Sequence, residues 1–184
     1  MKFPLLPLAT LTAIFLSSCD AVITQTPVAD STSSPLQEQL EGTWYKDDRS
    51  MLIAFDTNGS GYVAGLEWRN DEFKISKAEL NAVEADGNHY LSMKPLEEDG
   101  PDGYMFTAIN LEKENEIQIY IPDLKKIETL ISEGKVPGKV DKGRYSTMIH
   151  VDDVKLLIKE AKPLEDYFQV EDSMTLKRLS VESE

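Results

Sequence analysis

The sequence has few of the residues that most often carry chemistry in proteins. Its 184 residues include 1 cysteine, 2 histidines and 2 tryptophans. Since Cys19 is the only thiol, no disulfide can form within the chain. His89 and His150 lie far apart and match no zinc-binding spacing. The sequence therefore excludes a disulfide-stapled domain, and we expect no zinc centre.

Basic residues are also scarce. The chain has 19 Lys and Arg against 33 Asp and Glu, which gives a net charge of −14. Such a surface repels both the phosphates of nucleic acids and anionic lipid head groups. We therefore expect no nucleic-acid partner, and we expect any membrane attachment to come from a lipid or a helix.

No apolar run is long enough for a membrane-spanning helix, which needs roughly 20 residues. The most apolar stretch, residues 3–15, is interrupted by Pro4 and Pro7. It follows the positive charge of Lys2 and ends in small residues before Cys19. This order is typical of a signal peptide, which we assign to residues 1–18.

The end of that segment, Leu16-Ser17-Ser18-Cys19, resembles the lipobox of bacterial lipoproteins. The resemblance implies that the Cys19 sulfur receives a diacylglyceryl group and that cleavage exposes its amine to a further acyl chain such as palmitate. Several acyl chains would anchor the protein to a bilayer, facing the periplasm. Asp20 resembles the aspartate that retains such proteins at the inner membrane, so we favour the inner over the outer membrane.

Residues 19–37 are rich in Ser, Thr and Pro without a sustained apolar period, which predicts a lipidated N-terminus followed by a flexible tether. We place a single β-rich domain at residues 38–180 and a tail at 181–184. Between residues 38 and 121, short β-prone runs alternate with turn clusters such as Asp86-Gly87-Asn88, which predicts an antiparallel meander. Two helical patterns follow, at 124–131 and 154–161, and then a last strand-like run at 174–179.

The start of the first run, Gly42-Thr43-Trp44, resembles the Gly-x-Trp signature of lipocalins. In that family the Trp plugs one end of a barrel and a basic residue of the final strand lies across it, a position that Arg178 would take here. The alternative is that Trp44 is simply a core aromatic residue. The predicted fold class is mainly β with α (α+β), an antiparallel meander or small lipocalin-like barrel followed by two short helices and a last strand.

A pattern typical of calcium-binding loops overlaps one of the predicted hairpins. Residues 56–67 match the ligand positions of an EF-hand calcium loop. The candidate ligands are Asp56, Asn58, Ser60, the Tyr62 carbonyl and Glu67. EF-hands need flanking helices, whereas this segment has strand-like neighbours, so we favour a hairpin turn and expect no cofactor, with calcium as the alternative.

No P-loop, nucleophile elbow or dinucleotide-binding fingerprint is present in the sequence, and we name no catalytic residues. The enzyme question stays open, although the sequence favours a non-enzyme. We expect a membrane-anchored envelope lipoprotein that binds a small apolar ligand or a partner protein. The alternatives are a calcium-binding module and an inhibitor or accessory protein of envelope machinery.

Overall fold

The computed structural model describes residues 20–69, 71–97, 100–143 and 146–179. Within these ranges the strands are β1 (Asp20–Thr24), β2 (Gly42–Lys46), β3 (Arg49–Phe55), β4 (Gly61–Arg69), β5 (Glu72–Ala85), β6 (Asn88–Pro95), β7 (Tyr104–Asn110), β8 (Glu116–Pro122), β9 (Gly138–Lys142), β10 (Thr147–Val151) and β11 (Phe168–Arg178). The helices are α1 (Ser34–Leu40), α2 (Leu124–Ser132), α3 (Val154–Glu160) and α4 (Leu164–Tyr167).

Eight of these strands form a closed antiparallel barrel in the order β2, β3, β4, β5, β6, β7, β8 and β11, with β11 returning to β2. The other three strands extend the sheet sideways from β7, in the order β1, β10 and β9. The predicted fold class is confirmed. The two predicted helical patterns are α2 and α3, and the predicted last strand is β11.

Alternation of side chains along each strand produces two separate cores. Inward-pointing residues fill the barrel, because successive side chains on a strand point to opposite faces. This inner core contains Leu36, Leu40, Trp44, Ile53, Val63, Leu80, Ala82, Leu91, Met93, Ile109, Ile117, Ile119 and Leu176. An apolar interior of this size stabilises the barrel by the hydrophobic effect.

A second core lies on the outer face of the barrel, where β6, β7 and β8 are covered. Tyr90, Phe106 and Phe168 lie there with ring centroids 5.8 to 6.3 Å apart. Helices α2 and α3 cover this face with Ile127, Leu130, Val154, Leu157 and Ile158. None of the helices in the described part of the chain is long and apolar enough to cross a membrane.

Aspartates begin both of these helices. The Asp123 carboxylate accepts hydrogen bonds from the backbone N–H groups of Lys125 and Lys126 at 3.0 and 3.3 Å. Asp153 accepts from the N–H of Leu156 at 3.0 Å. These bonds satisfy amide groups that have no partner within the helix, and so they define where each helix starts.

The prediction of a flexible tether is wrong for the segment that follows residue 19. Strand β1 pairs in parallel with β10 and contacts β7 at its end. Val22 and Ile23 are only 1% and 2% exposed, and the Asp20 carboxylate accepts a hydrogen bond of 2.7 Å from the Thr147 N–H. The apolar, β-branched side chains of β1 are buried where β1 pairs with β10, a strand far along the chain. This burial outweighs the preference of the neighbouring Ser and Thr residues for irregular structure.

Residues 25–40 also pack onto the barrel. The Val28 N–H donates to the Ser92 hydroxyl at 3.1 Å, and the Thr32 hydroxyl accepts from the Ala82 N–H at 3.0 Å. Leu36 of α1 is 3% exposed. Residues 20–37 are therefore part of the folded domain, which the sequence predicted to start at residue 38. The predicted signal peptide (1–18), Cys19 and the predicted tail (181–184) lie outside the described residues.

The outer core contains one polar group without a partner. The Tyr90 side chain is 0% exposed, and its hydroxyl has no hydrogen-bond partner among the described residues. Burial, with the negative charge of Asp86 as the smaller cause, raises the pKa of Tyr90 above its ordinary value. An unpaired buried hydroxyl lowers stability because its lost hydration is not replaced.

We expect Tyr90→Phe to raise the free energy of unfolding by about 1 kcal/mol at neutral pH, since it removes that hydroxyl and keeps the ring contacts. Because the pKa of Tyr90 is raised in the folded protein, this side chain loses its proton at a lower pH in the unfolded chain than in the folded one. Stability should therefore fall as the pH rises above about 10, and less steeply in the variant. Urea unfolding at pH 7 and pH 10.5 measures both effects. A loss of stability at pH 7 in Tyr90→Phe would contradict the assignment.

Candidate ligand site in the barrel

One end of the barrel is closed by α1 and Trp44. The Trp44 indole N–H donates a 2.7 Å hydrogen bond to the Leu40 carbonyl at the end of α1. The side chains of Leu40 and Trp44 are 0% and 1% exposed. These contacts fasten the helix over the barrel opening.

Arg178 lies across the same indole. Its guanidinium carbon is 4.5 Å from the centroid of the Trp44 ring, within the range of a cation–π contact, and its Nη2 donates to the Gln39 carbonyl. Gly42 has a φ of +136°, and a β-carbon there would lie 3.5 Å from the Arg178 guanidinium. Since a side chain is strained at this φ, glycine is the residue that fits. The structure thus brings Gly42, Trp44 and Arg178 together at the closed end.

The candidate calcium loop is a β-hairpin turn at this closed end. The Asp56 carboxylate accepts hydrogen bonds of 2.9 Å from the N–H groups of both Asn58 and Ser60. Gly59 has a φ of +83°, and its carbonyl accepts from the Thr32 N–H at 3.0 Å. The aspartate therefore stabilises the turn through backbone N–H groups.

The other two proposed calcium ligands, Tyr62 and Glu67, lie on β4, outside the turn. Tyr62 pairs with Ala54 and Glu79, and its side chain is 48% exposed on the outer face. Glu67 is six residues beyond Gly61, which places it roughly 20 Å further along the strand. The EF-hand arrangement is not formed, because the two flanking segments pair as strands. Among the described residues, no group of three or more His, Cys, Asp or Glu is placed to hold a metal ion.

We expect Asp56→Ala to lower the free energy of unfolding by about 1 to 2 kcal/mol, because two turn N–H groups lose their acceptor. Millimolar calcium should leave the melting temperature of both the wild type and the variant unchanged. Thermal melts with and without calcium measure both effects. A calcium-dependent stabilisation of the wild type that Glu67→Gln abolishes would contradict the turn assignment.

The opposite end of the barrel opens into a cavity of about 340 Å³. Its apolar floor is formed by Trp44, Met51, Val63, Ala78, Met93 and Leu176. Gly65 also lines it and adds no side chain to the interior. A cavity of this volume is at the lower end of the range for small-molecule sites.

Charged side chains surround the mouth of this cavity. The strand register places Lys46 opposite Arg49, Arg49 opposite Glu67, and Glu67 opposite Lys74. These four residues, which we call the mouth row, share the parity of the inward-pointing residues Trp44, Met51, Gly65 and Ser76. The mouth row therefore faces the cavity.

The mouth row contains three cations and one anion. Arg49 Nη2 lies 3.1 Å from the Glu67 carboxylate, and these side chains are 18% and 17% exposed. Lys74 pairs with Glu72 outside the row. Glu97 also lines the cavity, where its carboxylate accepts from the Lys77 backbone N–H at 3.0 Å. The three cations of the mouth row thus lie among carboxylates, with Glu67 inside the row and Glu72 and Glu97 beside it.

A second cavity of about 330 Å³ lies between β7, β8, β11 and β1. It shares Lys46 and Met93 with the first cavity. Asp20 and Ala21, the first residues of β1, form part of its rim. Strand β1 therefore forms part of the wall of this second cavity.

Sequence reasoning missed the mouth row. The available signal was parity, since Lys46 is two residues after Trp44, Arg49 is two before Met51, and Glu67 is two after Gly65. A charged residue on the apolar side of a strand end marks the boundary between core and solvent. Predicting that these residues lie next to Lys74 would have needed the register of the β4–β5 hairpin.

We found no match to the chain among protein-family models, curated proteins or solved structures. The resemblances to bacterial lipoproteins and lipocalins stay predictions.

Proposed function

We propose that the protein is an envelope lipoprotein, anchored through Cys19, whose barrel binds a small amphipathic ligand. The observation that carries the proposal is the half-open apolar cavity beneath the mouth row. The apolar floor favours an acyl or other hydrocarbon chain, because its burial removes apolar surface from water. The cations at the mouth favour a carboxylate or phosphate head group.

The depth of the site supports a ligand with two chemically different ends. Trp44 and Leu176, at the bottom, are 1% and 4% exposed, whereas Lys74 at the mouth has a side chain that is 54% exposed. An apolar tail would contact the bottom while its head group stayed hydrated. Binding proteins commonly combine such an apolar pocket with a few polar groups that orient the ligand.

We expect a fluorescent stearate analogue to bind the chain from residue 20 onward more tightly than its methyl ester. Lys46→Gln with Lys74→Gln should weaken stearate binding roughly thirtyfold, at about 1 kcal/mol per lost charge contact, and should leave ester binding unchanged. Lys155→Gln with Lys159→Gln, on the exposed face of α3, makes the same charge change away from the cavity. Fluorescence titration measures all four affinities.

Ala78→Phe tests the cavity itself. The added ring would occupy the floor, so both the acid and the ester should lose binding while the circular dichroism spectrum is retained. Unchanged binding in this variant, or equal losses in the two double lysine variants, would show that the ligand lies elsewhere.

The anchor has its own test. Cys19→Ser should abolish incorporation of a fatty-acid label and leave the signal peptide uncleaved, because the thiol is the acyl acceptor in the resembling lipoproteins. Metabolic labelling followed by membrane fractionation measures lipidation and location together, and Asp20→Ser tests inner-membrane retention. The anchor is falsified if the wild type takes up no label while another lipoprotein in the same cells does.

A further inference from the structure

The tip of the β4–β5 hairpin carries a cluster of exposed apolar side chains. Leu66 pairs with Ile75, and Trp68 pairs with Phe73. We call these four residues the hairpin patch. They share the parity opposite to the mouth row, so they point to the outside of the barrel. Their exposed fractions are 39% for Leu66, 50% for Trp68, 63% for Phe73 and 67% for Ile75.

Trp68, Phe73 and Ile75 of the hairpin patch lie where β4 or β5 extends beyond its outer neighbour, whereas Leu66 still pairs with Ser50 of β3. Pairing of β4 with β3 ends at Glu67, and pairing of β5 with β6 begins at Ala78. Among the described residues, β4 is the only strand that pairs with residues 72–77 of β5. The Trp68 and Phe73 rings contact each other edge to face, with centroids 4.7 Å apart. The exposed apolar side chains of such a two-stranded ribbon are placed to contact a membrane or a protein at the open end.

The size and composition of the hairpin patch favour a membrane interface over a protein partner. Four half-exposed side chains offer roughly 400 Å² on the scale of aromatic surface areas, about half of what each partner contributes to a stable protein interface. Trp is enriched where bilayers meet water, because its ring is apolar and its N–H is polar. Lys74 lies between Phe73 and Ile75 on the opposite face of β5 and can reach a phosphate group.

The start of the described chain lines a cavity next to the mouth row. Lys74 lines the first cavity, Asp20 lines the second, and the two cavities share Lys46. Nineteen residues precede Asp20, and the last of them is Cys19. Because β1 is part of the sheet, an anchor at Cys19 would hold the barrel close to the bilayer without an intervening tether.

We propose that the open end of the barrel lies on the bilayer, with the hairpin patch inserted in the lipid interface. This inference rests on the proposed anchor at Cys19 and deepens the proposed function. The mouth row would then face the phospholipid head groups, and an amphipathic ligand would pass between bilayer and barrel with little exposure to water.

The two tryptophans make the test possible without a label. Trp68 is half exposed, whereas Trp44 is buried at the closed end. The full chain is purified from cells and reconstituted in phosphatidylcholine and phosphatidylglycerol vesicles whose acyl chains carry bromine, a short-range quencher. We expect strong quenching of the wild type. Trp68→Phe should lose the lipid-dependent part, because only the Trp44 signal remains.

The variants separate insertion from anchoring. Phe73→Ser with Ile75→Ser should reduce quenching of Trp68 several-fold. Leu179→Ser is the matched control, since Leu179 is 55% exposed at the closed end, and it should leave quenching at the wild-type value. Intact mass of each sample reports acylation of Cys19 independently.

Absence of bromolipid quenching in an acylated sample would overturn the inference and leave the anchor intact. Quenching that is equal in the double serine variant would also overturn it. Protection of Trp68 from aqueous iodide without any quenching by lipid would mean that a protein, such as a second copy of the chain, covers the hairpin patch. Quenching in a sample that mass shows to be unacylated would support insertion and remove the anchor from the proposed function.

Discussion

The closure of the barrel between β2 and β11 is the contact on which the rest of the structure depends. Two residue pairs, Tyr45 with Lys177 and Trp44 with Arg178, join these strands. The Trp44 ring also holds the end of α1 through the Leu40 carbonyl. One group of residues therefore closes the sheet and plugs one end of it. The cavity can then open only at the other end or between splayed strands.

The two halves of the barrel wall differ in what covers them. Strands β6 to β8 are buried on both faces, because helices α2 and α3 pack on the outside. The outer faces of β3 to β5 carry exposed apolar residues such as Leu52, Leu66 and Ile75. Packing on two faces holds the covered half more firmly than the other. The covered half supports β1, and the uncovered half provides the mouth row and the hairpin patch.

Net charge describes the electrostatics of this protein poorly. The chain carries −14 overall, but the mouth row contains three cations and one carboxylate, Glu67. Fields at short range are set by the nearest groups, since charges more than about 8 to 10 Å away are largely screened at physiological salt. An acidic protein can thus keep a cluster of cations at one opening while its remaining surface favours solubility.

The sequence by itself determined the features that depend on neighbouring residues. Alternating apolar residues, turn residues and helical spacing predicted most barrel strands as well as α2 and α3, because these patterns act over a few residues. Tertiary structure decided the rest. Asp20 is held by Thr147, 127 residues away, so local composition could not reveal β1. Glu67 fits a calcium loop by spacing alone, yet the pairing of β3 with β4 places it opposite Arg49, because strand register depends on both partners.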